Sequence, residues 1–425
     1  MTAGHILIVG SDRDCPSLVR AQCPDARITV IARLEVVRQI ADAETYARVI
    51  ALPHDQGPSE WVGMSRAVHA RDPFDRICTF SERDQDKAAA IGAALGLRTY
   101  APDTVRWVHD KFAMRERLAA SGVESTASMR VSGPDDIRRF AERHGYPVVV
   151  KPVTGTASSG VSVVRSPQEL DDAWRWSSAA ELPDFSDLLV EEYLEGREIS
   201  VEAFSEAGEH RVICVTGKVK DPVHCIELGQ MVRGPFSEET RAEAADYAAR
   251  VLTTLGITDG VTHTELILTA GGPRVVETHL RPAGDEIPEM IRDLYGIDLL
   301  DLLVRQSLGN RVLEQVDAGL RTAAKVSQHA AIWFGLPPAT GTVTAVRGAA
   351  GARGLPGVVA VTVLKEPGDR VVARAGDSLG RIVSARSVAD DPFEALRRAR
   401  AAAESVIFSI DAPAVCGDVP PETGV

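Results

Sequence analysis

The first hundred residues alternate short apolar runs with stretches of helical composition, and that alternation leaves few architectures open. His5-Ile-Leu-Ile-Val-Gly10 reads as a buried strand, and residues 27–31, 47–51 and 76–80 read as the next three. Residues 16–22 and 84–95 have helix-like composition between them. Strands that alternate with helices build βαβ units and therefore a parallel sheet. The turn Gly10-Ser-Asp-Arg-Asp14 lacks the GxGxxG spacing of a dinucleotide loop, so it reads as a plain strand-to-helix connection.

The texture changes near Asp103, which is placed to cap a helix carrying Val105, Val108 and Phe112 on one face, with Gly122 beyond its end. A second helix starts at Pro134 and buries Ile137, Phe140 and Ala141. Strands follow over 148–152, 161–164, 188–192, 198–203, 211–216 and 262–268. Runs of strands with fewer helices make this an α+β region. After Ser327 the chain becomes rich in Gly, Ala and Pro, with strands over 358–363, 371–373 and 381–385. Residues 391–408 read as a helix with Phe393, Leu396, Ala399, Ala403 and Val406 at helical spacing. A chain of 425 residues exceeds what one core holds, so several domains are expected, of α/β and α+β class.

The net charge of −13 argues against holding bulk nucleic acid or an anionic membrane by charge, leaving local basic pockets open. No apolar run approaches the roughly 18 residues of a spanning helix. Six cysteines show no CxxC or paired spacing, which disfavours structural zinc and a disulfide framework. With no basic, then apolar, leader before the first strand, a cytoplasmic protein is expected.

Three windows carry chemistry. In the first, the strand Val148-Val-Val-Lys-Pro152 runs into Thr154-Gly-Thr-Ala-Ser-Ser-Gly160. Glycines and hydroxyls let backbone N–H groups approach phosphate oxygens, and Lys151 supplies countercharge. Val161 stands where a P-loop has lysine, so that motif fails, and an ordinary hairpin is the bland alternative. In the second, Leu188-Leu-Val-Glu-Glu-Tyr-Leu-Glu-Gly-Arg-Glu198 brings acidic residues to both sides of a turn at Gly196. Such groups suit an adenine edge and a ribose diol, or merely a solvated hairpin. The third window pairs Thr262-His-Thr-Glu265 with Val275-Val-Glu-Thr-His-Leu-Arg281 across the turn Ala270-Gly-Gly-Pro273. Alternation puts each polar set on one face, bringing Glu265, Glu277 and His279 together. Two carboxylates beside an imidazole suit Mg²⁺ or Mn²⁺. A zinc site of His263, Glu265 and His279 competes without HExxH spacing or a cysteine, and a polar face open to water is the plain alternative.

Taken in order, Lys111, Lys151, the glycine-rich loop, Glu191-Glu-Tyr-Leu194, Glu198, Glu265 and Glu277-Thr-His-Leu-Arg281 resemble the ATP-grasp superfamily. More narrowly they resemble its carboxylate–amine ligases, including the L-amino-acid ligases (dipeptide synthases). The resemblance implies an N-terminal parallel-sheet pre-ATP-grasp domain (1–104), an ATP-grasp domain (105–326) with a lid subdomain at about 123–190, a C-terminal β-rich domain (327–411) and a flexible tail (412–425). It implies that Lys111 and Lys151 contact the ATP phosphates and that Thr154, Gly155, Thr156, Ser158, Ser159 and Gly160 close over them. Glu191, Glu192, Tyr193 and Leu194 would form the adenine hinge, and Glu198 would hold the ribose. Glu265 and Glu277 would bridge Mg²⁺ or Mn²⁺ to the phosphates. His279 stands where members of the group commonly carry Asn, and Arg281 would neutralise charge on the transferred phosphoryl group.

The implied activity is ATP-dependent joining of an amino-acid carboxylate to an amine, such as another amino acid, through an acyl phosphate with release of ADP and phosphate. An ATP-grasp enzyme with another acceptor (of carboxylation or nucleotide-biosynthesis type) and a non-turnover ATP-binding regulator are the alternatives. Lys218, His224 and Arg233, in a polar stretch that reads as a loop, are candidates for a substrate carboxylate. Asp285 or Glu286 would take a substrate ammonium, or else cap the helix that follows. The expected partners are small-molecule amino acids and a second copy of the chain in a homodimer, with no nucleic acid and no membrane.

Overall fold

The computed structural model describes residues 4–155, 159–179, 187–220, 226–373 and 378–411. Thr156, Ser158, His224 and the expected tail lie outside the described residues. The chain divides into two compact units, Met1–Gly217 with Val232–Ser327, and Lys218–Met231 with Gln328–Val425.

In the first unit, strands β1 (His5–Val9), β2 (Arg27–Arg33), β3 (Arg48–Leu52) and β4 (Arg76–Cys78) form a parallel sheet in the order β3-β2-β1-β4. This is the architecture the strand–helix alternation requires. Its core gathers Leu7, Val9, Ile31, Ile77 and Ile91 around Trp61, which is fully buried. A second, antiparallel sheet contains β5 (Ser128–Val131), β6 (Val148–Pro152), β7 (Ser162–Val164) and β8 (Leu188–Glu192), in the order β5-β8-β6-β7. The helix Pro134–His144 packs Ile137, Phe140 and Ala141 into that sheet's core, as its apolar spacing predicts.

The next strands along the chain are β9 (Arg197–Glu206), β10 (Glu209–Lys220), β11 (Glu227–Val232), β12 (Gly260–Thr269) and β13 (Gly272–His279). Antiparallel pairing places four of them in the order β13-β12-β9-β10. Ile199, Val201, Leu266 and Val275 from this sheet pack with Ala248, Val251 and Leu252 of the helix Glu238–Thr254. Each Val, Leu or Ile side chain among them gains about 1.5–3 kcal/mol by leaving water. Ala89, from the helix Gln85–Leu95 of the parallel-sheet layer, belongs to the same cluster, so the two layers of this unit share a core.

The second unit begins with β11 and adds β14 (His329–Gly335), β15 (Gly341–Arg347), β16 (Val358–Val363), β17 (Arg370–Val371), β18 (Val383–Ala389) and β19 (Ile407–Asp411). Its strands follow the orders β11-β14-β18-β16 and β17-β15-β19, with the helix Pro392–Glu404 packed on β14 and β18.

Several local expectations are corrected. The helix expected to start at Asp103 and run through Phe112 is two helices, Pro102–His109 and Lys111–Ala120. Asp110 breaks it, because its carboxylate accepts a hydrogen bond from the Ala113 N–H at 2.9 Å and caps the second helix. Asp103 lies in the first turn of the first helix, and Ala101 is the cap residue. The last helix ends at Glu404, and Phe408 pairs instead with Val346 in the β15–β19 ladder. Its inner face is alanine (395, 399, 402 and 403), while Phe393 is 59% exposed. The polar stretch read as a loop is partly strand: Lys218 lies in β10 and Glu227 opens β11. Among the described residues no helix is long and apolar enough to cross a membrane.

Candidate functional site

The hairpin of β12 and β13 builds the acidic centre. Register pairs Glu265 with Glu277 and His263 with His279, and a bulge after Glu265 lets the ladder continue as Leu266 opposite Val275. Carboxylates directly opposite each other on one sheet face repel, so this pair needs cations. Three protein cations serve it: Lys111, His263 and His279. The Lys111 ammonium stands 2.7 Å from Glu277 Oε2, and His263 Nε2 stands 3.2 Å from Glu265 Oε1. Ligand atoms of Glu265, Glu277 and His279 all lie within 4.8 Å of one another, and this oxygen-rich set suits Mg²⁺ or Mn²⁺. Burial pushes the Glu277 carboxyl up, but Lys111 and His279 outweigh it and hold it well below the carboxylate range.

Lys111 also ties the glycine-rich loop to this centre. As first residue of its helix it donates from Nζ to the Gly155 carbonyl at 2.9 Å, and its backbone N–H reaches the Val153 carbonyl at 3.1 Å. Gly155 and Gly160 both have positive φ (143° and 71°), a conformation that favours glycine and lets the backbone fold close to a ligand. Thr154 and Ser159 are half-buried.

Lys151 lies on β6 and pairs with Glu191 at the end of β8, both buried. Burial lowers the Lys151 pKa, opposed by Glu191. Burial raises that of Glu191, but Arg115 and Lys151 prevail and hold it at about 2. Arg115 extends the network, donating from Nε to Glu191 at 3.0 Å and from Nη1 to Glu124 at 3.1 Å and the Val275 carbonyl at 2.6 Å. Tyr247 and Thr126 donate to Glu124 in turn. The Glu191 side chain is thus committed inward. Beyond it Glu192 and Leu194 are half-buried and Tyr193 is 37% exposed, while Glu198, on β9, is half-buried. Arg115 and Glu124 escaped sequence reasoning, because an arginine inside an ordinary helix carries no mark of burial.

Glu82 was also missed. It stands in the one-turn helix after β4 and accepts from His279 Nδ1 at 2.5 Å and from Arg281 Nε at 2.7 Å. Burial pushes its pKa up, but His279 and Arg281 pull it well below the usual range. Burial lowers the His279 pKa, yet Glu277 and Glu82 raise it on balance. His279 Nε2 faces Glu277 Oε1 at 3.4 Å. His263 turns Nδ1 to Glu202 and Nε2 to Glu265, and among the described residues the ligand atoms that gather within reach of one ion are those of Glu265, Glu277 and His279 without His263, which disfavours the zinc reading. Asp285 and Glu286 adopt left-handed conformations (φ 56° each), and Glu286, at the cap position of the helix Ile287–Tyr295, makes no side-chain cap bond. Arg233 donates to the Val326 carbonyl. Lys218 belongs to the second unit, where it is buried 2.7 Å from Glu227.

The chain is similar to several known proteins and families. Residues 144–289 match the ATP-grasp domain family, and residues 333–411 match L-amino acid ligase C-terminal domain 2. The alanine–anticapsin ligase of Bacillus subtilis strain 168 is 24% identical over 300 residues, 65% of this chain and 63% of its own length. The chain thus spans under two thirds of that relative. An L-arginine-specific L-amino acid ligase of Bacillus subtilis is 24% identical over 316 residues, covering 72% of this chain and 73% of the relative. The crystal structure of an L-amino acid ligase from Bacillus licheniformis superposes with a TM-score of 0.78 at 20% identity, over 96% of this chain and 99% of that one. That likeness shows the fold.

Proposed function

We propose, from the match of residues 144–289 to the ATP-grasp domain family and of residues 333–411 to the L-amino acid ligase C-terminal domain, that the chain is an ATP-dependent carboxylate–amine ligase joining an amino-acid carboxylate to an amine, such as a second amino acid. The observation that carries the reading is the position of Lys111. One ammonium touches both the Gly155 carbonyl of the glycine-rich loop and the Glu277 carboxylate of the acidic hairpin. Three motifs far apart in sequence meet at this ammonium, and their meeting supports reading the place as that of a nucleotide triphosphate and its cation.

In the proposed reaction a substrate carboxylate oxygen attacks the γ-phosphorus of ATP in line. The bond from that phosphorus to the β,γ-bridging oxygen breaks, leaving an acyl phosphate and ADP. An amine nitrogen then attacks the acyl carbon, the carbon–oxygen bond to phosphate breaks, and the nitrogen loses a proton as the amide forms. Phosphorylation is needed because oxide is not a viable leaving group, and most of the rate comes from positioning and charge neutralisation.

Lys111 and Lys151 are assigned to the phosphates, and the loop from Thr154 to Gly160 to covering them against water. Glu191 to Leu194 are assigned to adenine, with Glu191 acting through its backbone because its carboxylate is engaged, and Glu198 to the ribose. Arg281, oriented by Glu82, is assigned to the oxygens of the transferred phosphoryl group. Glu265, Glu277 and His279 would hold Mg²⁺ or Mn²⁺, which supplies countercharge for the phosphates when bound. Asp285, four residues beyond Arg281, is assigned to a substrate ammonium. Lys218 and Arg233 stay proposed for a substrate carboxylate on charge alone. A homodimer and a cytoplasmic location complete the proposal.

The test is product analysis of purified protein with ATP, Mg²⁺ and pairs of amino acids, read by chromatography and mass spectrometry. ADP, phosphate and a mass equal to the pair minus water are expected; AMP with pyrophosphate would overturn the acyl-phosphate route. Glu277→Ala is expected to cut phosphate release by about 100-fold or more with circular dichroism unchanged. Near-normal release would remove Glu277 from the metal assignment.

A further inference from the structure

The proposed reaction leaves unused a chain of buried groups behind the acidic hairpin. Ser200 and Glu202 lie on β9, facing Glu265 and His263 of β12 in register. Ser200 and Glu202 have no exposed surface, and His263 has 6%. Ser200 Oγ donates to Glu202 Oε1 at 2.8 Å. His263 Nδ1 faces both oxygens of Glu202, at 2.9 and 3.1 Å, and its Nε2 faces Glu265 Oε1 at 3.2 Å. The other side of the ring stacks on His279, with centroids 5.8 Å apart and planes 24° from parallel.

A buried ion pair needs only one contact. Glu202, cut off from water, requires a cation, and His263 supplies it through Nδ1. The second nitrogen does something that pair does not need. It extends to Glu265, which reaches the rim of the site at 16% exposure and faces Glu277 across the hairpin. The ring cannot rotate without losing Glu202, and it is stacked against His279. The direction of Nε2 is therefore set by the fold, and with it one oxygen of Glu265.

We propose that His263, oriented by Glu202, is a positioning residue that fixes the Glu265 carboxylate in the geometry a divalent cation requires. The inference rests on the reading of Glu265 as a cation ligand, made above. Groups that orient a ligand from behind are typically worth about 10–100-fold in metal affinity.

The measurement is Mn²⁺ binding to the full chain in the presence of ADP, followed by the electron paramagnetic resonance signal of free Mn²⁺. His263→Leu is expected to weaken binding about 10–100-fold. The cation concentration for half-maximal phosphate release should rise in parallel, with kcat at saturating cation staying within a few-fold of wild type. Glu202→Gln, which keeps an acceptor for His263, is expected to give a smaller shift in the same direction. His263→Leu folded with unchanged Mn²⁺ affinity would overturn the proposal. Should that variant not fold, His263→Gln, which donates to only one carboxylate, carries the test with the same two outcomes. Wild-type protein that binds no Mn²⁺ with ADP would overturn the proposal together with the metal site. Protein that binds Mn²⁺ but joins no amino acids would overturn the ligase reading alone, and loss of affinity in His263→Leu would still support the positioning role.

Discussion

Glu191 is 4% exposed and still ionised, because two cations reach it where water does not. Its folded pKa of about 2 lies below the ordinary 4.5, so the sign of its pH dependence is fixed. The contribution to stability is complete above pH 4.5 and is lost as pH falls from 4.5 toward about 2, an effect on the order of 3 kcal/mol. Glu191→Gln leaves Lys151 buried without its acid and Arg115 with Glu124 alone, and breaking such a pair costs about 3–5 kcal/mol near neutrality. The gap in melting temperature between wild type and variant should narrow as pH is lowered through that window. A gap that stays constant to pH 2.5 or so would show that Glu191 is not held ionised by its neighbours. The residue was legible in the sequence as an acid ending an apolar strand. Its partner Arg115, 76 positions earlier in an ordinary helix, was not, because burial of a charge follows from tertiary packing.

At the scale of elements, Gly196 holds the turn from β8 to β9 against β12. A Cβ there would stand 2.2 Å from the Leu268 carbonyl oxygen and 2.8 Å from Ile267 Cγ2, so the turn approaches the strand with no room for a side chain. Gly196→Ala is expected to lower stability by about 1–3 kcal/mol, read as an earlier urea midpoint, and to weaken ATP binding by displacing residues 192–198. An unchanged midpoint would mean the turn relaxes freely. Elements bounded by clear punctuation were legible: residues 188–192, 358–363 and the helix from Pro134 appear as the sequence predicts. Where one apolar rhythm crosses a break, the sequence misleads. Asp110 interrupts a run that looks continuous, and Ile407 and Phe408 continue a helical spacing while joining a sheet edge. Helical spacing and strand pairing compete there, and a partner strand some 60 residues away decides.

Across the whole first unit, the site is assembled by elements that are remote along the chain. The acidic hairpin was legible because both of its strands lie in one short stretch of sequence. Glu82 was not, since it reads as an ordinary acid at a helix start and its partners follow 197 and 199 residues later. Contacts at such separation form only after a long loop has closed, which slows them relative to local structure. After dilution from denaturant, far-UV dichroism is expected to return before the capacity to release phosphate; simultaneous return would show that the pocket condenses with its sheets. A chain made on the ribosome meets the same separation as time. At about 5–20 residues per second, Glu82 emerges roughly 10–40 s before His279 and Arg281 exist. For that interval the parallel-sheet layer carries an acid with no cation to meet it, and the end of the middle third of the chain arrives as the missing half of its own binding pocket.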